Sequence, residues 1–249
     1  MSGHSKWATI KRKKAVVDAK RGKMFTQLIK EITIAARSGG GDLNGNPRLR
    51  LAVDKGKAGN MPADNIKRAI QRGTGELPGV TYEEAMYEGY GPGGAALLIE
   101  SVSDNKNRTV SELRHQLERY GGKLGATNSV AWMFHKKGII HVPKAGVGED
   151  DLLTTILDSG ADDMSSEEDI YVITAAPDRF ESVKQALAAR NVRIDSAELL
   201  MIPENTVRVE GKDAEQLLRL MEALEDHDDV QHVYSNFDID DKILAAFQA

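Results

Sequence analysis

Hydrophobic positions along the chain first follow a helical period and then switch between strand and helix. From Met24, the residues Phe25, Leu28, Ile29, Ile32, Ala35 and Ala36 recur on one helix face, which predicts a helix ending before Ser38 and the glycines at 39–41. Asn46 stands where an N-cap belongs and Pro47 at a first helical position, so Leu49, Ala52 and Val53 form one side of a second helix that stops near Gly59. A third helix opens around Met61 and Pro62, buries Ile66, Ala69 and Ile70, and stops at Gly73. Upstream, residues 1–23 carry no apolar stripe and read as a charged arm.

After a turn-rich stretch over 74–94, read as a linker containing Tyr82, Tyr87 and Tyr90, the periods alternate. Residues 95–102 predict a strand. Thr109 with Glu112 forms a capping box for a helix through Val110, Leu113, Leu117 and Tyr120, and 130–134 predict a second strand. Strands at 138–142, near Asp162, at 170–174 and at 194–202, with helices at 150–158 and from Asp178 through Phe180, Val183 and Leu187, complete a βαββαβ ferredoxin-like unit. A strand at 206–210, a helix capped by Asp213 with Leu217, Leu218, Met221 and Leu224 inward, and a strand at 230–237 leave a half-unit. Its partner is the earlier half-unit at 95–134, since a lone βαβ cannot cover both faces of its sheet. The expected fold is therefore α+β: an N-terminal three-helix basic domain plus two ferredoxin-like α+β domains, one inserted in the other. The alternative is one larger mixed sheet. The boundaries that follow are a head at 1–78, a split domain at 79–135 and 205–240, an inserted domain at 136–204 and a tail at 241–249.

Charge sharpens this division. The first 72 residues hold 17 of the 33 Lys and Arg but 5 of the 38 Asp and Glu, a net +12, while the remainder sets 16 basic against 33 acidic residues, a net −17. A whole-chain charge of −5 thus conceals a basic head on an acidic body, the asymmetry expected of a chain with a polyanionic partner. Lys11, Arg12, Lys13, Lys14, Lys20, Arg21 and Lys23 on the arm, Arg48, Arg50, Lys55 and Lys57 on the second helix, and Lys67, Arg68 and Arg72 on the third are the candidate phosphate contacts. Arg48 and Lys55 lie seven apart and Arg68 and Arg72 four apart, each pair on one helix face. The bland alternative is a solvated surface, but ordinary surfaces mix charge signs. Trp7 is the candidate for base stacking, because Phe25 belongs to the core stripe.

Other chemistry is poorly represented. Cysteine is absent, which removes disulfides, thiolates and sulfur-ligated zinc. The apolar run at 95–99 is too short for a bilayer, and the basic N-terminus lacks the apolar core of a secretory signal; a cytoplasmic location without membrane contact is expected. Gly89, Gly91, Gly93 and Gly94 precede a strand, whereas a dinucleotide-binding glycine motif follows one. His227 and His232 beside acidic residues are a weak zinc candidate lacking a third ligand. Asp238, Asp240 and Asp241 lack the Gly and Glu of a calcium loop. A βαββαβ order also suits RNA recognition, but the strand at 170–174 offers only Tyr171 and the sheets are acidic. With no nucleophile and base pairing in view, neither cofactor nor enzymatic activity is expected.

The opening Ser2-Gly3-His4-Ser5-Lys6-Trp7-Ala8-Thr9-Ile10-Lys11, the Asn60-Met61-Pro62 turn leading to Asn65-Ile66 and Arg68-Ala69-Ile70, the stretch from Tyr82-Glu83-Glu84 to Gly89-Tyr90-Gly91-Pro92-Gly93-Gly94, and Asp104-Asn105 with Asn107-Arg108-Thr109 together resemble the YebC family. That family includes PmpR-type regulators and the mitochondrial translational activator of cytochrome c oxidase. The likeness runs essentially end to end. It implies a helical head with two α+β lobes around a cleft, and one of two roles: a transcriptional regulator binding DNA, or a ribosome-associated translation factor whose arm, with His4, Lys6 and Trp7, reaches ribosomal RNA. Independently of the resemblance, the acidic charge of the two α+β domains leads to the expectation that they contact protein, the ribosome included, and leaves the alternative of an interaction scaffold whose acidic cleft binds a basic partner while the head solubilises.

Overall fold

The computed structural model describes the backbone of residues 18–248 apart from Glu168, with side chains from Gly22 to Phe247. The head comprises α1 (Asp18–Gly39), α2 (Pro47–Ala58) and α3 (Ala63–Thr74). Helix α1 therefore includes the last part of the expected arm, 18–23; residues 1–17 lie outside the described chain. The predicted stripe is the head core, in which Ile32, Ala35 and Ala36 meet Leu49, Ala52, Val53, Met61, Ile66 and Ala69, with Phe25, Leu28 and Ile29 packed at its side.

One buried side chain sets the turn between α1 and α2. Asn46 Oδ1 accepts from Leu49 N at 3.0 Å, the expected N-cap. Its Nδ2 donates to the carbonyls of Ala35 and Gly40, each at 2.8 Å, so the same amide also satisfies the end of α1. Helix α3 runs one residue past Gly73 and ends on Gly75 at φ 83°. Gly73 is instead a packing glycine: a Cβ there would stand 2.4 Å from the Thr33 carbonyl, which is how α1 and α3 approach so closely.

The next elements correct the expected linker. Residues Glu83–Tyr90 form strand β1, paired antiparallel along its full length with β2 (Ala96–Ser103). Pro92–Gly94 make a single 3-10 turn between them, where Gly93 at φ 70° lies against Val209; the glycine run is thus a hairpin loop. Helix α4 (Lys106–Arg119) starts three residues before Thr109, because Asn105 Oδ1 caps it by accepting from Arg108 N at 3.1 Å. The expected capping box does not form. The strand after α4 is the short β3 (Lys123–Leu124), and the strand expected at 130–134 is replaced by a 3-10 turn at Ala131–Met133.

The chain then builds β4 (Phe134–Pro143), α5 (Glu149–Asp158), β5 (Ala161–Ser166), β6 (Ile170–Ala175), α6 (Phe180–Ala189) and β7 (Ser196–Pro203). Their sheet order β5-β6-β4-β7, antiparallel throughout, is that of a ferredoxin-like unit. Ile140, Val142, Ile156, Ile173, Val183 and Leu187 fill its core. Trp132–Glu204 form one compact unit, and the described chain on either side of it forms the other.

That other unit closes with β8 (Val207–Arg208), α7 (Gly211–Glu225), β9 (Val230–Ser235), β10 (Phe237–Asp238) and α8 (Asp241–Gln248). Its sheet order is β3-β1-β2-β9, with β8 and β10 as a separate parallel pair. The hairpin β1–β2 thus takes the sheet centre, a different order from the inserted unit. Asn236 interrupts the strand expected at 230–237: its Oδ1 accepts from Ala96 N at 2.8 Å. Leu97 and Ile99 pack against Leu113, Leu117, Leu217 and Met221 in the core beneath. The overall class is α+β, with a helical N-terminal region, antiparallel sheets and one unit inserted in the other.

Because Asn46 serves two helix ends, Asn46→Ala should cost more than a single cap, about 2–3 kcal/mol in urea unfolding. A loss below about 1 kcal/mol would show that the Ala35 and Gly40 carbonyls find other donors.

Candidate nucleic-acid interface

Apart from Lys55, the residues expected to meet nucleic acid fall into three groups. His4, Lys6, Trp7, Lys11, Arg12, Lys13 and Lys14 lie outside the described residues, and Lys20 and Arg21 are on α1 with side chains not described. Arg50, Lys57, Lys67, Arg68 and Arg72 are exposed on α2 and α3. Among the described residues, none of these five is ion-paired with a carboxylate; Arg50 has only a 3.5 Å approach to the Leu43 carbonyl. Lys55 is half-buried.

Lys23 and Arg48 form the third group, already engaged by the chain's own acceptors. Lys23 donates to the Glu225 carbonyl and stands 3.7 Å from Asp226 Oδ1. Arg48 pairs with Glu31 of α1 at 2.7 Å and also with Glu84 of β1. Its guanidinium clamps head to sheet, an arrangement that helix-face arithmetic could not reveal because Glu84 belongs to another element.

A second cation, absent from the sequence expectation, lies deeper. Lys30 is buried, with Nζ 2.7 Å from Asp229 Oδ1 and 2.9 Å from the Asp228 carbonyl. The other oxygen of Asp229 accepts from Arg108 at 2.9 Å, Thr109 at 2.8 Å and Ser103 at 3.0 Å. Thr109 is fully buried, so its hydroxyl serves this carboxylate rather than a helix cap. Burial alone would raise the Asp229 pKa, but Lys30, Arg108 and Thr109 outweigh it and hold the group well below the usual carboxylate range. The sequence offers only a faint signal for this node, a lone Lys within the apolar stretch of α1.

Around this node lies a cleft of about 690 Å³ lined by Lys30, Tyr82, Arg108, Glu112, His227 and Asp229, among others. Glu112, His227 and Asp229 bring their ligand atoms within 4.8 Å of one another, giving His227 third-ligand candidates that the sequence did not suggest. Their bonding opposes a cation. His227 Nδ1 accepts from Asp229 N at 3.1 Å, so Nε2 carries the ring proton and donates to Glu112 at 2.8 Å. Both oxygens of Asp229 are already occupied. His232 belongs to a different setting, stacked on Tyr234 at 5.8 Å.

A further carboxylate fixes the segment leading out of the sheet. Glu88 is buried and accepts from the backbone N–H groups of Asn128, Val130 and Ala131 at 2.6, 2.7 and 2.7 Å. Burial opposes its charge, yet these donors hold its pKa below the ordinary value.

Comparison with known proteins places this arrangement. Residues 5–76 match the TACO1/YebC protein N-terminal domain, and residues 82–237 match the TACO1/YebC second and third domain. The chain belongs to the TACO1/YebC family. A relative from Koribacter versatilis is 58% identical over 240 residues, 96% of each chain. One from Pelotomaculum thermopropionicum is 57% identical over 243 residues, 97% of this chain and 100% of the relative. Both are named probable transcriptional regulatory proteins. The crystal structure of a conserved hypothetical protein from Aquifex aeolicus is 44% identical, with a TM-score of 0.84 over 92% of this chain and 95% of that one. Within the TACO1/YebC frame the node is a junction: Lys30 falls in the N-terminal match, and Arg108 and Asp229 in the second and third domain. Among the described residues no helix is long and apolar enough to cross a membrane.

Asp229→Ala would strand Lys30 in the interior and should cost about 3–5 kcal/mol, read by urea unfolding; a loss under about 1 kcal/mol would mean that the pair contributes little. Acid provides a second check. Carboxylates with a lowered folded pKa contribute stability above their unfolded value near about 4 and lose it as pH falls through the folded value. The urea midpoint should therefore decline below about pH 4. In Glu88→Gln that acid-side decline should be shallower, from a lower starting stability.

Proposed function

We propose that this chain is a regulatory protein that binds DNA through its basic N-terminal region and acts by binding rather than catalysis. The carrying observation is the exposed set Arg50, Lys57, Lys67, Arg68 and Arg72, without carboxylate partners among the described residues, within the first 72 residues, whose net charge is +12. The names of the relatives, probable transcriptional regulatory proteins, support the same reading. Phosphate contact dominates, since the head offers Trp7 alone as a stacking candidate, and Lys11, Arg12, Lys13 and Lys14 of the sequence add further positive charge for phosphate. The inserted and split α+β domains present acidic surface and set geometry or meet protein.

With about eight phosphates engaged on duplex DNA, the logarithm of affinity should fall against the logarithm of salt with a slope of about −7. Joint replacement of Lys57, Lys67, Arg68 and Arg72 by Ala should reduce that slope by about 3 to 4 in magnitude. A salt-independent titration would reject the reading. The same titration on ribosomal RNA decides the nucleic acid: much tighter binding to RNA would place the protein in translation instead. Incubation with nucleic acid and magnesium should produce no cleavage.

A further inference from the structure

The contacts between head and sheet share a chemical direction. Lys23, Gln27 and Lys30, spaced to fall on one face of α1, donate to the carbonyls of Glu225, Val230 and Asp228 respectively, and Lys30 also to the Asp229 carboxylate. Arg37 donates to the Tyr82 carbonyl at 3.0 Å and Arg48 to Glu84. In each of these the head supplies the proton and the sheet unit the oxygen. A row of donors, cationic except for Gln27, facing a row of anionic and carbonyl oxygens is also the chemistry of a basic helix on a phosphate strand.

We infer that the turn joining α7 to β9, residues 225–230, is an internal substitute for a phosphate strand: it occupies α1 cations in the free protein and yields them when nucleic acid binds. This rests on the nucleic-acid reading above and adds a regulatory contact to it. Two features make the exchange feasible. Asp226 is two-thirds exposed and its pairing with Lys23 is long at 3.7 Å, so that contact is open to salt and to competing anions. At the inner contact, Lys30 can leave without orphaning Asp229, because Arg108, Thr109 and Ser103 stay on its other oxygen. The departing ammonium, in turn, meets a phosphate rather than an apolar surface.

Competition of this kind is measurable in the wild-type chain. A water-soluble carbodiimide joins Lys23 to Asp226 by an amide, and the crosslinked peptide is quantified by mass spectrometry with and without saturating short duplex DNA. The Lys23–Asp226 product should fall severalfold, while the product from Lys106 and Glu83, a 2.6 Å pair within the sheet unit, stays constant. In parallel, Asp229→Asn should bind the same DNA severalfold more tightly, because Lys30 no longer has to leave a carboxylate, with a salt slope close to that of the wild type, in which Lys23 and Lys30 already reach phosphate on binding. An unchanged Lys23–Asp226 yield on DNA-bound protein overturns the inference whether or not the variant folds. A folded Asp229→Asn with wild-type affinity does the same. If wild-type protein binds no DNA or RNA at low salt, the nucleic-acid reading falls and takes this one with it; binding with unchanged crosslinking sinks only the competition.

Discussion

The unit that joins the head to the split sheet hangs on one buried carboxylate. Asp229 gathers a lysine from the first helix, an arginine and a threonine from α4, and a serine from the end of β2, so three separate segments are held by a single side chain. Its charge is tolerable inside the protein because two cations and two hydroxyls donate to its two oxygens. Such pairs contribute less net stability than their short distances suggest, since desolvation offsets much of the attraction. What they supply is definition: within the free chain the Lys30 charge is matched at Asp229 and the Asp228 carbonyl, and that contact fixes the seating of α1 on the sheet.

Two lesser constraints follow the same logic. Asn46 ties the end of one head helix to the start of the next through a single amide, and Glu88 gathers the backbone donors of the segment at 128–131. In each case a polar group that would be costly to bury alone is placed where irregular backbone has unmet hydrogen-bonding capacity. The apolar cores fill the volume, and these polar nodes determine how the pieces join.

The apolar periods carried much of this into the sequence. The stripe from Phe25 to Ala36 is the head core, Asn46 is a cap, and the inserted βαββαβ unit is legible strand by strand. Strand β1 was hidden because its two buried positions are Glu88 and Gly89 while Met86 is exposed, so no apolar alternation marks it. The capping box at Thr109 and Glu112 obeyed the local rule but lost to tertiary demand: the hydroxyl went to Asp229 and the carboxylate to His227. Likewise, no local pattern joins Lys30 to Asp229 or Arg48 to Glu84. Of the candidate interface, charge density could be read from composition, but the division between engaged and exposed cations depends on contacts between distant segments.

The nested connectivity also has a temporal side. Strand β2 pairs with β9, Leu97 opposite Ser235, so the central sheet cannot be completed until the final part of the chain has been made. A growing chain emerges N-terminus first, which means that the basic helices exist for some time before the turn that will face them. During synthesis, on a particle rich in RNA, the newborn head therefore carries its excess of positive charge before the oxygens of residues 225–230 exist to face it.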